Sequence, residues 1–147
     1  MKNKINIKVI ADIICPWCFI GCKHLNASLK SRKFYTYEID WQPFYLNPAM
    51  PSNGIDRRQY LKNKFGNQVN LIESQILSAA SNYNIIINLK KIKTTPNTRK
   101  IHSAISLFKK YNFNKSYDLA FKIMSDYFVN GIDIRNEDYL IKTISKF

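Results

Sequence analysis

The sequence predicts an α/β fold, a strand–helix–strand unit followed by a run of helices. Three observations carry that reading. Lys4–Ile14 alternates and then turns apolar, and Phe34–Trp41 alternates aromatic with polar side chains, so both read as strands. Between them Phe19, Ile20, Leu25 and Leu29 recur at helical spacing. Beyond Pro43, Pro48, Pro51 and Gly54 the apolar residues fall on helical faces.

The first strand is expected over Lys4–Ile14, entering a core at Ile13-Ile14. Pro16 stands where a helix begins, because its missing N–H has no partner there in any case. That helix runs to about Lys30, and Phe34–Trp41 follows as a second strand, parallel to the first. The Pro- and Gly-rich stretch 43–54 is the one candidate boundary. After it, Asp56–Phe65 is a short helix stopped at Gly66. Val69–Tyr83 is another, with Val69, Ile72, Ile76, Ala79 and Ala80 on one face. Ile85–Ile92 fits extended chain or strand equally. Residues 94–98 are a loop that caps a helix to about Tyr111, and Ser116–Val129 is a further helix ending near Gly131. Asn136 caps a last helix running to Phe147.

The chain has 147 residues, 46% of them hydrophobic and 22% charged, the balance of an ordinary globular protein. No apolar run approaches membrane-spanning length. Asn6, Lys8 and Asp12 interrupt the N-terminal stretch where a signal peptide needs unbroken apolar residues, so a cytoplasmic location is expected. The formal charge is +13, but only five of the 23 basic residues are Arg, and the Lys are scattered. Such a composition also follows from A/T-rich codons, so no nucleic-acid partner is expected on charge alone.

Cys15, Cys18 and Cys22 lie within eight residues, and Cys15-Pro16-Trp17-Cys18 sits at the junction of strand and helix. A helix N-terminus offers free N–H groups and the positive end of the dipole, both of which stabilise a thiolate. Cys15 is therefore expected to be the more acidic and more exposed thiol and the nucleophile. Cys18, one turn inward, is the resolving thiol, with Pro16 and Trp17 stiffening and shielding the turn. The competing readings are an inert buried pair and a zinc site using Cys22 and His24. A structural zinc site draws its second ligand pair from a separate segment, and none is present, so no metal is expected. Cys22 is assigned to packing, Asp12 to capping the turn, and His24 to an exposed helix face.

At these residues the chain resembles the FrnE-like branch of the DsbA-family thiol–disulfide oxidoreductases, relatives of the 2-hydroxychromene-2-carboxylate isomerases. The resemblance begins in Asp12-Ile13-Ile14-Cys15-Pro16-Trp17-Cys18-Phe19-Ile20-Gly21. It continues in Trp41–Pro48, in Asp56–Gly66 and in Thr95-Pro96-Asn97-Thr98 with His102. It implies a thioredoxin-like fold of DsbA type. Residues 1–50 would form its N-terminal βαβ part with the Cys-Pro-Trp-Cys motif, and residues 51–147 an all-α helical insert domain. It further implies disulfide exchange with protein or glutathione thiols, no cofactor beyond thiols, no membrane, and Asn97 and His102 near the substrate cleft.

Relatives of this kind continue past the insert with a cis-proline, two strands and a closing helix. None of the five prolines (Pro16, Pro43, Pro48, Pro51 and Pro96) follows the insert. The expectation is a C-terminally truncated fold of impaired activity. Ile10, Ile13 and Ile14 are then under-buried, and the open edge of the first strand invites self-association. The alternatives are a non-functional truncated remnant and a glutathione-dependent isomerase or transferase. The latter use serine where this chain has Cys15 and lack the second cysteine.

Overall fold

The computed structural model describes residues 3–32 and 34–147. Its first strand, β1 (Asn3–Ala11), pairs in parallel with β2 (Tyr35–Pro43), in register from Asn3 opposite Tyr35 to Ala11 opposite Pro43. Helix α1 (Pro16–Ser31) makes the crossover. The parallel strand–helix–strand unit is thus as predicted, and β2 runs two residues further than expected.

β1 ends earlier than the apolar run suggested. The Phe44 N–H donates to the Ala11 carbonyl at 3.0 Å, and the chain then turns, the Cys15 N–H closing on the Asp12 carbonyl at 3.1 Å. Ile13 and Ile14 therefore leave the sheet and enter the core at 0% and 9% exposure, which corrects the expectation that they are under-buried. Only Ile10, 62% exposed on β1, stays in solvent. Pooling strand and turn residues in one apolar run hid this, because hydrophobicity records burial and not backbone direction.

The helical part starts with α2 (Arg57–Phe65), whose N-cap Asp56 accepts the Gln59 N–H and whose C-cap is Gly66 at φ +56°. Helix α3 (Val69–Ser81) buries Ile76 and Ala80. Residues 85–92 are neither strand nor regular helix, with a 3₁₀ turn at Leu89–Lys91. Their backbone is held from outside: the Asn88 N–H donates to the Phe128 carbonyl at 2.8 Å, and Asn88 Nδ2 to the Val129 carbonyl at 2.7 Å. A two-residue antiparallel ladder joins β3 (Ile55–Asp56) to β4 (Thr94–Thr95), so the loop expected at 94–98 begins as strand. Two residues carry no alternation for a sequence reading to detect.

Helix α4 (Arg99–Tyr111) precedes α5 (Phe113–Ser125), which widens into a π-helical turn at Asp126–Asn130. Gly131, at φ +68°, closes it. Helix α6 (Glu137–Ile144) starts at the predicted cap, Asn136 Oδ1 accepting the Tyr139 N–H at 2.9 Å. The core centres on α5, where Leu119, Ala120, Ile123 and Met124 are all at 0% exposure. Burying each large apolar side chain contributes about 1.5–3 kcal/mol. Phe19 of α1 stacks between Phe121 and Phe128, at 5.9 and 5.3 Å. Trp41 of β2 meets Tyr117 at 6.5 Å. These contacts hold α1, and with it the cysteine motif, against both strand and helices.

Candidate active site

Cys15 is the N-cap of α1, with extended backbone at φ −89° and ψ 110°. Its Sγ accepts the Cys18 N–H at 3.2 Å, a helix-end donor that has no carbonyl partner. Cys15 is 9% exposed and Cys18 is half-buried, so Cys15 is not the more exposed of the two. The sulfurs open to different sides. Cys15 lines a cavity of about 190 Å³ with Trp17, Leu46, Tyr60, Ile72 and Phe128, whereas Cys18 lines a shallow depression beside β1 with Val9, Ala11 and Cys22.

Two thiols this close share a proton and ionise as a unit. The interaction with Cys15 holds the Cys18 thiol below its ordinary value, with further help from the Asp12 backbone and against the cost of burial. Cys15 is pushed up by that same interaction, by burial and by the Cys18 charge, even though backbone N–H groups at the helix end favour its thiolate. The helix end favours one negative charge on the pair. Burial pushes Cys22 up to about 11, leaving it a protonated packing residue at neutral pH. His24 is half-buried, edge-on to Tyr83 at 4.2 Å, and not the exposed residue expected.

Asp12 does more than cap the turn. At 1% exposure, its Oδ2 accepts the Leu46 N–H at 2.8 Å and its Oδ1 the His102 Nε2–H at 3.0 Å. The pair spans 90 residues and pins the end of β1 and the motif turn to α4 and the loop after β2. His102 Nδ1 and its stacked neighbour Trp41, through Nε1, have no partner among the described residues, a cost the surrounding packing must offset. His102 thus reaches the motif through Asp12. Asn97 lies elsewhere, Nδ2 donating to the Met50 carbonyl at 2.5 Å and Oδ1 accepting the Arg99 N–H at 3.0 Å, and it does not line the cysteine cavity. Pro16 and Trp17 do line it, with Trp17 50% exposed at its mouth. Sequence reasoning missed the far walls, Arg57, Tyr60, Tyr127 and Phe128, because only the tertiary fold brings them to Cys15. Among the described residues no cluster of three or more His, Cys, Asp or Glu is placed to hold a metal ion, and no helix is long and apolar enough to cross a membrane.

The profile of the DSBA-like thioredoxin domain matches residues 6–147. The chain belongs to that family. The fold agrees, being the DsbA-like thioredoxin fold with its strand–helix–strand unit and attached helices. A probable DsbA oxidoreductase of Streptomyces coelicolor superposes with a TM-score of 0.77 at 17% identity, covering 94% of this chain and 60% of its own. The cytosolic disulfide reductase DsbM of Pseudomonas aeruginosa does so at 0.64 and 12% identity, covering 97% of this chain and 63% of its own. DsbM has also been solved with GSH, and that structure matches at 0.64 and 11% identity over 97% of this chain and 64% of its own. In sequence, the uncharacterized protein YwbO of Bacillus subtilis is 25% identical over 143 residues, covering 94% of this chain and 64% of YwbO. The chain thus spans somewhat under two thirds of the length of these relatives.

Proposed function

We propose that this protein is a thiol–disulfide oxidoreductase of the FrnE-like branch, with Cys15 as nucleophile and Cys18 as resolving thiol. The observation that carries the reading is the Cys15 sulfur at the head of α1, accepting the Cys18 N–H at 3.2 Å and facing the cavity. A substrate disulfide enters there. The shared proton moves to Cys18 as Cys15 attacks; a Cys15–substrate S–S bond forms, the substrate S–S bond breaks, and one substrate thiolate leaves. Cys18 passes its proton to the departing first thiolate and attacks Cys15 Sγ, forming the Cys15–Cys18 disulfide, breaking the Cys15–substrate bond and releasing the second substrate thiolate. The substrate gains two electrons, and the protein loses two; the reverse sequence oxidises a dithiol.

Protein or glutathione thiols are the proposed partners, and the cytoplasm the proposed location; the names of the DsbM structures support both by analogy. Residues 1–50 are proposed as the thioredoxin-like part and 51–147 as the helical insert. Activity of these 147 residues is proposed to fall below that of the longer relatives, because β1 has no partner on its outer side among the described residues. The test is exchange with oxidised glutathione and insulin. Cys15→Ser is expected to lose at least ~99% of the rate, and Cys18→Ser to accumulate a mixed disulfide visible by mass. Full activity in Cys15→Ser ends the reading.

A further inference from the structure

Beside the cysteine cavity lies a second, larger groove of about 950 Å³, between α2, the start of α3 and the 89–93 turn. Arg57, Leu61, Val69, Glu73 and Leu89 wall both spaces, so the groove abuts the cavity that Cys15 and Trp17 line. Its charge is one-sided. The two carboxylates in it are engaged: Asp56 caps α2, and Glu73 Oε1 takes Arg57 Nη1 at 2.6 Å. Arg58, Lys62, Lys90 and Lys93 also line it, all exposed, and have no carboxylate partner among the described residues. Elsewhere some basic residues are matched, Lys4 with Glu38, Lys100 with Glu137 and Arg135 with Asp133 among them, and others such as Lys30, Lys110, Lys142 and Lys146 stand singly among the described residues; in the groove four unmatched cations share one concave surface. Lys64 stands at the cavity, its ammonium over the Tyr60 ring at 5.6 Å and the Phe65 ring at 5.4 Å.

From this arrangement we infer that the substrate disulfide sits in an acidic polypeptide segment. The inference rests on the exchange activity proposed above and names its substrate class. The cavity accepts the apolar side chain next to the substrate cysteine, since Leu46, Ile72, Ile76 and Phe128 line it and its 190 Å³ is too small for more than a side chain. The groove accepts the flanking carboxylates, which supply the charge that the four unpartnered cations lack. Carboxylates come equally from glutathione, but a groove of about 950 Å³ lined by four exposed cations has room for a longer chain.

Exchange kinetics of the full chain test the assignment, using three peptide disulfides alike in cysteine and apolar neighbour but flanked by Asp, Gln or Lys. The expected order is Asp over Gln over Lys, with about tenfold between the first two at low salt, narrowing as salt is added. Arg58→Glu with Lys62→Glu and Lys90→Glu is expected to erase the preference. Lys30→Glu with Lys142→Glu and Lys146→Glu alters net charge equally at a distance and is expected to leave it within about twofold. Equal rates for the three peptides, or equal loss in the remote variant, overturn the groove. Oxidised glutathione reacting faster than the acidic peptide in a groove-dependent way overturns the polypeptide assignment. If no disulfide exchanges, the functional reading fails by itself. The groove is then judged by Trp17 fluorescence with a cysteine-free acidic peptide, where saturable quenching lost in the groove variant supports it and no binding overturns it. Displacement of that peptide by a tighter-binding single-stranded oligonucleotide also overturns it, in favour of nucleic acid.

Discussion

Cys15 and Cys18 show how one contact redistributes an effect that belongs to a helix end. The positive end of α1 and its free N–H groups, the Cys18 N–H on Cys15 Sγ among them, favour one negative charge on the pair, and the Cys18 thiol is drawn down to about 7. A lowered thiol is protonated below its own pKa and charged above it. The alkylation rate of the reduced protein is therefore expected to rise through pH 6 and 7 and to level off above about 8, instead of climbing toward the ordinary 9.0. Iodoacetamide kinetics with mass detection from pH 5 to 10 read this directly, and a single inflection near 9 would contradict the shared charge. Cys22, pushed up to about 11, is expected to stay unlabelled throughout that range at native stability. Asp12 makes a second prediction at this scale. Asn in its place keeps an acceptor for only one of the two donors, Leu46 N–H and His102 Nε2–H, so Asp12→Asn is expected to cost about 2–4 kcal/mol. Urea unfolding measures it; a loss under about 0.5 kcal/mol would mean that the pair is not a structural pin.

Among the elements, glycines at positive φ separate two kinds of helix end. Gly66, at φ +56° after α2, has nothing within 4 Å of where a Cβ would stand. Its ψ of −126° lies outside the left-handed helical well, so Gly66→Ala meets a backbone penalty alone, about 1–3 kcal/mol. Gly131, at φ +68° after the π-helical turn, would drive a Cβ into Lys91 Cβ and to 2.9 Å from the Lys91 carbonyl oxygen. Gly131 sits in the milder left-handed helical region, so its backbone penalty is smaller, and Gly131→Ala is expected to cost more than Gly66→Ala only through the clash with Lys91. The check is a pair of urea curves, and equal midpoint shifts would show that the 89–93 turn yields freely. The difference matters for function, because Lys90 and Lys93 flank that contact and line the basic groove. The π turn itself is held by Asp126, 3% exposed, which accepts from Lys122, Asn130 and Tyr139. Three donors thus satisfy one buried carboxylate inside that turn.

For the whole molecule the sheet is the exposed element. β1 pairs with β2 alone among the described residues, and its other edge presents backbone donors and acceptors beside Ile10, at 62% exposure. The 147-residue chain is expected to self-associate through that edge in a concentration-dependent way. Ile10→Lys adds an edge charge and is expected to shift it toward monomer without loss of helical signal. Size-exclusion with light scattering decides, and a wild-type chain that stays monomeric at high concentration would rule the edge out as an association surface. Ile13 and Ile14 do not share this exposure, so the helical part shields the motif turn even though it leaves the strand edge open.

The amino-acid sequence by itself determined the parallel strand–helix–strand unit, the cap at Asn136, the stop at Gly66 and the Cys15–Cys18 pair at a helix start. Each of these rests on interactions within a few residues: alternation, helical periodicity, a side-chain oxygen reaching an N–H three residues on, a proline where no donor is needed. The end of β1, the irregular 85–92 segment, the ladder of 55–56 with 94–95, and the Asp12–His102 pair were decided by the tertiary structure alone. So were the cavity walls brought by Arg57, Tyr60 and Phe128, and the position of Asn97 away from them. Their partners lie tens of residues apart, 34 for Asp12 with Leu46 and 90 for Asp12 with His102. A hydrogen bond across such a separation leaves no periodic trace in the chain, and it exists only once packing has brought both ends together.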